Sequence, residues 1–473
     1  MLKKSKFVLA YFLILLCSAC AVGPDYVKPQ ISTPDTFEAL NNPDFVSEKF
    51  DTAWWGYFDD KTLVKLIEDA VAENKDVKQA LSRVNQARAL LSEATAKLLP
   101  STSSSFIGQK VNEYGHSRIK GMPLTSYDTY NASLDASWEI DIFGKLRRNR
   151  EAQSALVDAN VANMYDAIRI LVTDIANTYF SLRSYQEQLE IAKRNIKAQK
   201  ETLDIVTAKF NAGQVSELDK VRAETQLEAT KSIMPPLESS IEVSMHRLAV
   251  LSGKFPNELN DVLKKSKPMK LFNGPVSITD AESLLKSRPD IMVAERNLAA
   301  YTALIGFNKA DYFPRVTIGG SFSLTSDDLS RMFHNGSKLA TGPSISWTPF
   351  DFGQIRARVK ASEERVDEAL SNYEGTILRA FEDVENSLTK FSSERKRYVM
   401  LKKTFELSQK SYHLAMDQYK EGVLDFISVL TAQSDMLNNE NNLCQSKEKL
   451  NESVVSIYKA LGGGWEAWQL VKN

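Results

Sequence analysis

Cysteine and histidine are scarce. Three cysteines and four histidines stand among 473 residues, and none falls into a CxxC, HExxH or other metal-ligand spacing. A zinc or redox site is not expected, and no cofactor is implied. Charge of one sign is also missing, because 59 Lys and Arg oppose 60 Asp and Glu for a net charge of -1. That balance indicates neither a nucleic-acid partner nor an acidic, disordered chain. No P-loop, Rossmann or nucleophile-elbow pattern occurs, so the chain does not read as an enzyme. Gly462-Gly463-Gly464 follows a helical pattern and reads as a helix stop rather than a phosphate cradle. Breakers are few as well: 20 Gly and 15 Pro favour long uninterrupted helices.

One extended apolar run is present, Phe7 to Leu16, preceded by Lys3, Lys4 and Lys6 and followed by small residues before Cys20. It is much shorter than the roughly 20 apolar residues of a membrane-crossing helix. It reads as a secretory signal peptide over residues 1–19. Ser18-Ala19-Cys20 resembles a bacterial lipobox, which makes Cys20 the expected acylation site and first mature residue. Cys17 is a poorer candidate, because bulky Leu16 sits where a small residue is wanted. Cys444 lies in a helical pattern and is expected to pack.

The chain contains an internal duplication. SWEIDIFGKLRRNREA at 137–152 matches SWTPFDFGQIRARVKA at 346–361 through Trp138/Trp347, Phe143/Phe352, Gly144/Gly353 and Arg147/Arg356, an offset of 209. The pairs Gly213/Gly422 and Ala223/Ala432 keep that offset, while Pro100/Pro314 stand 214 apart, so the two copies differ in a loop between. Each copy reads as helix, two strands, long helix, helix. The expected organisation is a signal peptide (1–19), an N-terminal segment (20–60), repeat 1 (61–252), a linker (253–279), repeat 2 (280–461) and a tail (462–473).

From Gly144 to Gly213 there is no intervening Gly or Pro, and from Gly353 to Gly422 only Gly375 intervenes. A helix of that length spans on the order of 100 Å. Apolar residues recur every seventh position at Val161, Ile168, Ile175, Leu182, Leu189, Ile196, Leu203 and Phe210, and again from Leu370 through Ile377, Val384, Phe391, Tyr398, Phe405 and Tyr412 to Tyr419. This is coiled-coil packing. Strands are expected near 101–113, 128–142, 314–326 and 337–351. Their alternation places Leu134, Trp138, Ile140, Val316, Ile318, Phe322 and Trp347 on an apolar face, with Asp135 and Glu139 opposite. These segments suit tilted membrane strands of about 9 to 11 residues. Four strands cannot close a barrel, for which about eight are needed, so a membrane barrel must be shared between chains. A half-buried soluble sheet fits the same alternation.

CAVGPDYVKP after the lipobox, WWGYFDD at 54–60, the two SW…FG…R junctions, the two glycine tips, MPPLE at 234–238 and ALGGGW at 460–465 occur in order over essentially the whole mature chain. Together they resemble the outer membrane factor family, the TolC-like channels, and most closely its lipoprotein branch serving resistance-nodulation-division efflux pumps. The resemblance implies a mainly α fold with a membrane β-barrel portion, in which a homotrimer forms a 12-stranded barrel continued by a periplasmic α-helical tunnel. It implies an outer-membrane, lipid-anchored channel that passes small molecules, drugs or toxic compounds, with a periplasmic adaptor and an inner-membrane pump as partners. Adaptor docking then falls to the tips: Gly213, Val215, Ser216, Gly422, Leu424 and Asp425. The periplasmic gate falls to Tyr419, Asp425, Gln418 and Thr431. Tyr419 and Gln433 match the family pattern, whereas Gln418 and Thr431 stand where relatives often carry Arg and Asp, which puts a salt-bridge lock in doubt. The alternatives are a lipid-anchored periplasmic coiled-coil scaffold, a type I secretion channel and an envelope hydrolase.

Overall fold

The computed structural model describes residues 21–34, 36–38, 42–48, 51–112, 126–278, 281–334 and 336–468; the signal segment and Cys20 lie outside them. In chain order the elements are β1 (Phe45–Ser47), a 3-10 turn (Trp54–Phe58), α1 (Lys61–Glu73), α2 (Lys75–Ala96), β2 (Ser101–Asn112), β3 (Ser126–Ile140), α3 (Lys145–Asn211), α4 (Glu217–Ser232) and α5 (Met234–Leu251). There follow α6 (Asn260–Leu263), β4 (Val276–Ile278), α7 (Ala281–Ser287), α8 (Pro289–Lys309), β5 (Arg315–Ser326), β6 (Ser337–Ser346), α9 (Gln354–Lys420) and α10 (Phe426–Ala460). The long helices α3 and α9 have 67 residues each. The scarcity of Gly and Pro is therefore realised as two equal rods.

The chain divides into two units. The first comprises Met1–Gln30, Arg83–Asn160 and Val293–Glu374. Its centre is an antiparallel sheet in the order β2-β3-β5-β6. Three strands fall within two residues of their expected limits. The fourth ends at Ser346 rather than 351, since Pro349 has no N–H to give a ladder. Both strand-to-helix junctions turn on glycines with positive φ, Gly144 (+79°) and Gly353 (+92°). Beside each, an aspartate receives first-turn N–H groups: Asp141 accepts from Leu146 and Arg147, and Asp351 accepts from Gly353 and Ile355. The segment that follows Cys20 is seated here. Val22 donates to the Phe143 carbonyl, and the buried Arg148 reaches the carbonyls of Val22 and Gly23 and the Asp25 carboxylate. A side chain on Gly23 would collide with the Gly306 backbone, and one on Gly306 with the Val22 carbonyl.

The second unit comprises Ile31–Ser82, Val161–Met292 and Gly375–Asn473. Its core joins Trp54 and Phe58, Leu63 and Ile67 of α1, Ile168, Ile175 and Leu182 of α3, Val384 and Phe391 of α9, and Val454 and Tyr458 of α10. Strands β1 and β4 pair in parallel beside it. Four glycines end helices in the same manner. Gly213, Gly253, Gly422 and Gly462 all have positive φ, and each lies in a paired 6→1 and 5→2 bond pattern such as Gln214 N to Lys209 O with Gly213 N to Phe210 O. Gly462 thus stops α10. After it, Trp465 stacks on Tyr165 at 4.4 Å and Trp468 on Trp55 at 5.0 Å.

The seven-residue stripe of α9 is the buried one, at Ile377, Val384, Phe391, Tyr412 and Tyr419. On α3 it holds only from Ile168 to Leu182. Further on, the buried positions are Ile191, Ala192, Asn195, Gln199, Thr202 and Val206, and Leu189, Ile196 and Leu203 are only half-buried. Part of this seam borders a cavity of about 280 Å³ with a mixed lining, Gln188, Asn195 and Asn438 beside Ile191, Leu237 and Leu437. The return helix of repeat 1 breaks at Ile233, where Pro235 and Pro236 open the first turn of α5 without N–H groups. That of repeat 2, α10, runs unbroken for 35 residues.

Candidate functional site

The sheet has two chemically distinct faces. Register places Leu134 opposite Phe322 and Phe322 opposite Leu339, Trp138 opposite Ile318, and Ile140 opposite Val316 and onward to Ile345. Leu134, Trp138, Ile318, Phe322, Leu339 and Ile345 are all exposed, as is Phe106 on β2. From Ala132 to Ile140 this face runs about 27 Å along the strand, or about 21 Å in height at a tilt of about 40°. The other face carries Ser103, Ser105, Ser133, Asp135, Ser137, Glu139, Thr317, Ser321 and Ser323. Ser133 donates to Asp135 at 2.7 Å, and Arg315 pairs with Glu139 at 3.5 Å. At the foot of the sheet the duplicated tryptophans are tied alike: the Trp138 indole N–H donates to the Leu98 carbonyl at 3.0 Å, and that of Trp347 to Tyr312 at 3.1 Å. Trp347 lies just past β6, with its ring exposed. Sequence reading missed Phe106, Leu339 and Ile345, which lie among serines and glycines where alternation is diluted.

The two tips are built as counterparts. At the first, Ser216 caps α4 and Asp219 returns the bond, a capping box. At the second, Asp425 caps α10 and Ser428 donates back to it at 2.5 Å, so the two residue types exchange places. These hydrogen bonds hold the Asp425 carboxyl below its ordinary value. Tyr419 is 3% exposed and packs among Val206, Ala223, Tyr412, Phe426 and Val429, with Val215 and Leu424 at the rim of this cluster. Lys209 lies 4.9 Å above its ring and donates to its carbonyl at 3.2 Å. The Tyr419 hydroxyl is buried without a hydrogen-bond partner. Gln418 and Thr431 are exposed, and Thr431 bonds its own helix at the Ile427 carbonyl. No hydrogen bond joins Gln418 to Thr431 among the described residues. Gln433 turns inward to Tyr412 at 3.3 Å. Gly213, Val215, Ser216, Gly422, Leu424 and Asp425 all line one cleft of about 540 Å³ between the tips. Lys209 is the participant that sequence reading did not single out, and no spacing rule would have found it.

Two further groups on α10 lie elsewhere, Cys444 buried and Glu452 half-buried. Burial pushes the Cys444 thiol up to about 12, and it donates to the Ser184 carbonyl at 3.7 Å, consistent with packing. Burial also pushes Glu452 up to about 7, helped by Glu448 and opposed by the Ser181 hydroxyl and by Lys449. A carboxyl raised from 4.5 in this way contributes stability fully below pH 4.5, and loses that contribution as pH rises through 7. Glu452→Gln is therefore expected to stabilise the protein at pH 8 by on the order of 2 kcal/mol and to be neutral at pH 4. Thermal unfolding at both pH values checks this, and equal shifts at the two would refute it. Among the described residues no group of three or more His, Cys, Asp or Glu is placed to hold a metal ion.

A two-faced membrane-type sheet together with paired helical tips defines a channel of the outer-membrane type, and comparison with known proteins agrees. The chain belongs to the outer membrane efflux protein family, which it matches over residues 66–254 and 281–463, once per repeat. Nodulation protein T of Rhizobium leguminosarum bv. trifolii is 30% identical over 462 residues, 96% of each chain. The probable outer membrane lipoprotein SilC of Salmonella typhimurium is 28% identical over 98% of this chain and 99% of its own. The solved outer-membrane channel OprN superposes with a TM-score of 0.88 at 33% identity, covering 94% of this chain and 100% of that one. The family and location expected from the sequence hold: the protein is an outer-membrane efflux channel. Its family and structural neighbours are channels rather than enzymes.

Proposed function

We propose that three copies of the chain close one 12-stranded barrel and act as a passive conduit, fed through the helical tips by a periplasmic adaptor and an inner-membrane pump. The observation that carries this reading is the open four-stranded sheet, apolar on one face, hydroxyl-lined on the other, with an unpaired edge on each side. One copy cannot close such a sheet. Repeats 61–252 and 280–461 supply equal halves of each copy's wall. Small toxic molecules are the proposed cargo, as for the solvent and toluene efflux channels of Pseudomonas putida, to which the chain is 28% identical.

The tip closes the conduit by packing. Tyr419 seals the junction of α3, α9 and α10 from within, in place of the charged pair absent at Gln418 and Thr431, and Asp425 acts first as a helix cap. Tyr419→Ala is expected to raise single-channel conductance in planar bilayers several-fold while the trimer survives. Equal conductance with an intact trimer would remove Tyr419 from the gate, and absence of any current from the unaltered protein would remove the conduit reading itself.

Lipid is proposed at Cys20. Ala21, the residue that follows it, lies against Gly144 at the start of α3. Cys20→Ala is expected to abolish labelling by a radioactive fatty acid while part of the protein remains in the membrane through its barrel. Labelling that survives in the variant places the lipid elsewhere.

A further inference from the structure

The dipeptide Asn-Gly occurs twice in the chain, at 273–274 and 335–336, and Asp-Gly does not occur. Asn335 lies outside the described residues, whereas Asn273 stands in the stretch between the repeats, just ahead of β4. Its side chain is exposed, and it belongs to no helix or strand. Among the described residues neither its amide nor the Gly274 N–H has a hydrogen-bond partner. Gly274 has a left-handed backbone, φ +116°, and a side chain there would meet nothing within 4 Å. The nitrogen that follows Asn273 is therefore unencumbered. Asparagines nearby in the same unit are held instead. The buried Asn74 donates to the Leu251 carbonyl at 2.8 Å and accepts from the N–H groups of Asp76 and Val77. The buried Asn451 donates to the Lys270 carbonyl at 2.8 Å and accepts from Phe272.

We propose that Asn273 is a site of spontaneous modification in the folded protein, its amide converting through a succinimide to aspartyl and isoaspartyl forms. Base takes the Gly274 amide proton, and the nitrogen attacks Asn273 Cγ. A bond from the Gly274 nitrogen to Cγ forms, the Cγ–Nδ2 bond breaks, and Nδ2 gains a proton and leaves as ammonia. Water then opens the ring. Addition at Cγ restores the original main chain with a carboxylate in place of the amide. Addition at the main-chain carbonyl instead routes the chain through Cβ and Cγ, which lengthens it by a methylene. Nothing is oxidised or reduced, and water is the only co-reactant. Glycine permits the first step, since it brings no Cβ to crowd the attacking nitrogen. Amides fixed by hydrogen bonds cannot swing into a near-attack geometry, and a misplacement of about 1 Å costs on the order of a hundredfold in rate. The reaction needs neither a partner nor an open pore, so it stands apart from the conduit reading.

The site is tied on both sides, which gives the longer product a structural consequence. Before it, the Phe272 N–H donates to Asn451 at 3.1 Å, and the Phe272 ring is buried. After it, the Gly274 carbonyl accepts from Arg395 at 3.2 Å, and Arg395 also meets Asp44 at 3.2 Å. The Val276 N–H then donates to the Asp44 carbonyl at 2.9 Å, where β4 joins β1. An added methylene between these ties cannot be absorbed by side-chain movement. Gly274 has no side chain to hold it, so the chain yields there and the Arg395 bond is lost first. The pairing of β1 with β4 then begins from a displaced strand.

Peptide mapping by mass spectrometry tests the site on the full-length folded protein, warmed in detergent at pH 7 and at pH 8. The peptide spanning Asn273 is expected to gain the mass of amide-to-acid conversion and to accept label from an isoaspartyl methyltransferase. Conversion should run about tenfold faster at pH 8 than at pH 7, as loss of the amide proton to base requires. Peptides carrying Asn74 and Asn451 are expected to convert on the order of a hundredfold more slowly. Asn273→Gln, whose longer side chain closes a larger and less favoured ring, is expected to abolish labelling of this peptide. An Asn273 peptide that stays unconverted in the folded protein yet converts once the protein is denatured overturns the proposal, because the fold is then protecting it. Conversion of all three asparagines at one rate overturns it equally, since unfolded chains would be the reacting species. Asn273→Asp supplies the charge without the added methylene and is expected to unfold at the temperature of the unaltered protein, whereas the methyltransferase-positive fraction unfolds at a lower one. Equal unfolding temperatures for that fraction and the unaltered protein overturn the loss of the Arg395 tie.

Discussion

Replacing Arg288 with alanine is expected to destabilise the second unit by about 3 to 5 kcal/mol, the cost of breaking a buried ion pair by removing one partner. Arg288 stands between α7 and α8 and is 3% exposed. Its guanidinium meets Asp290 at 2.6 Å and Asp383 of α9 at 3.1 Å, and donates to the Ala460 carbonyl at the end of α10 at 3.0 Å. Burial alone would raise the Asp290 carboxyl, but the Arg288 hydrogen bond and charge overcome it and hold that carboxyl below its ordinary value. Without Arg288 this half-buried carboxylate keeps only the Ile291 N–H and the charge of Arg169, the last carbonyls of α10 lose a donor, and Gly462 loses the side chain it abuts. Arg288→Lys would recover only part of the loss, because an ammonium cannot present the planar fork that two carboxylates and a carbonyl share. Denaturant unfolding followed by far-ultraviolet dichroism measures both variants. A loss below about 1 kcal/mol for the alanine variant would show that the cluster is solvated and inexpensive to break.

Leu134→Arg is expected to cost about 2 to 4 kcal/mol if the apolar face of β3 meets lipid near its midplane. Leu134 is 55% exposed in the isolated chain and lies in the row formed with Ser104, Phe322 and Leu339. A charge there must leave water, while one residue earlier, at Ser133, the side chain points to the hydroxyl face. Ser133→Arg is therefore the paired control and is expected to cost less than about 1 kcal/mol beyond its lost bond to Asp135. Refolding titrations into vesicles give both values. Equal costs would mean that the two faces see the same solvent, and the sheet would not span a membrane.

What the sequence disclosed and what it hid follow from the range of the physics. The 67-residue helices were legible because a single glycine, Gly375, is the one breaker between the paired glycines of either copy, and the strands because alternation has a period of two. The apolar sevens of α9 were the better guide, with Ile377, Val384, Phe391, Tyr412 and Tyr419 buried and Leu370, Tyr398 and Phe405 half-buried. Those of α3 failed beyond Leu182, where Leu189, Ile196 and Leu203 are half-buried and the buried positions pass to Ile191, Asn195, Gln199, Thr202 and Val206. The tips were located by Gly213 and Gly422, and the exchanged caps were implicit in Ser216-x-x-Asp219 and Asp425-x-x-Ser428. Tyr419 was marked by family pattern, yet its company of Val206, Ala223 and Lys209 comes from distant segments of the chain, which no local pattern encodes. Likewise the contact of Gly23 with Gly306 is a matter of shape, invisible until both backbones are placed.

The seam between β3 and β5 has a consequence for the order in which the chain folds. Its pairs run from Ile140 with Val316 to Tyr130 with Ser326, so the whole return of repeat 1, the linker and the start of repeat 2 lie between the partners. The hairpins on either side are joined by far shorter connections, β2 to β3 through positions 113–125 and β5 to β6 through 327–336. Closing so long a loop costs about 2 kcal/mol more than closing either hairpin, at about 0.6 kcal/mol per doubling of length. Most of that loop is helical, and α3 and α4 fold back on one another at the Gly213 tip, where Val206 packs with Ala223. Once these helices have zipped together the loop is effectively shorter, and much of the entropic difference vanishes. Helices therefore form first, the hairpins independently of them, and the central seam after both. The outer edges of the sheet come last, in a step whose rate depends on how many other chains have reached the same stage.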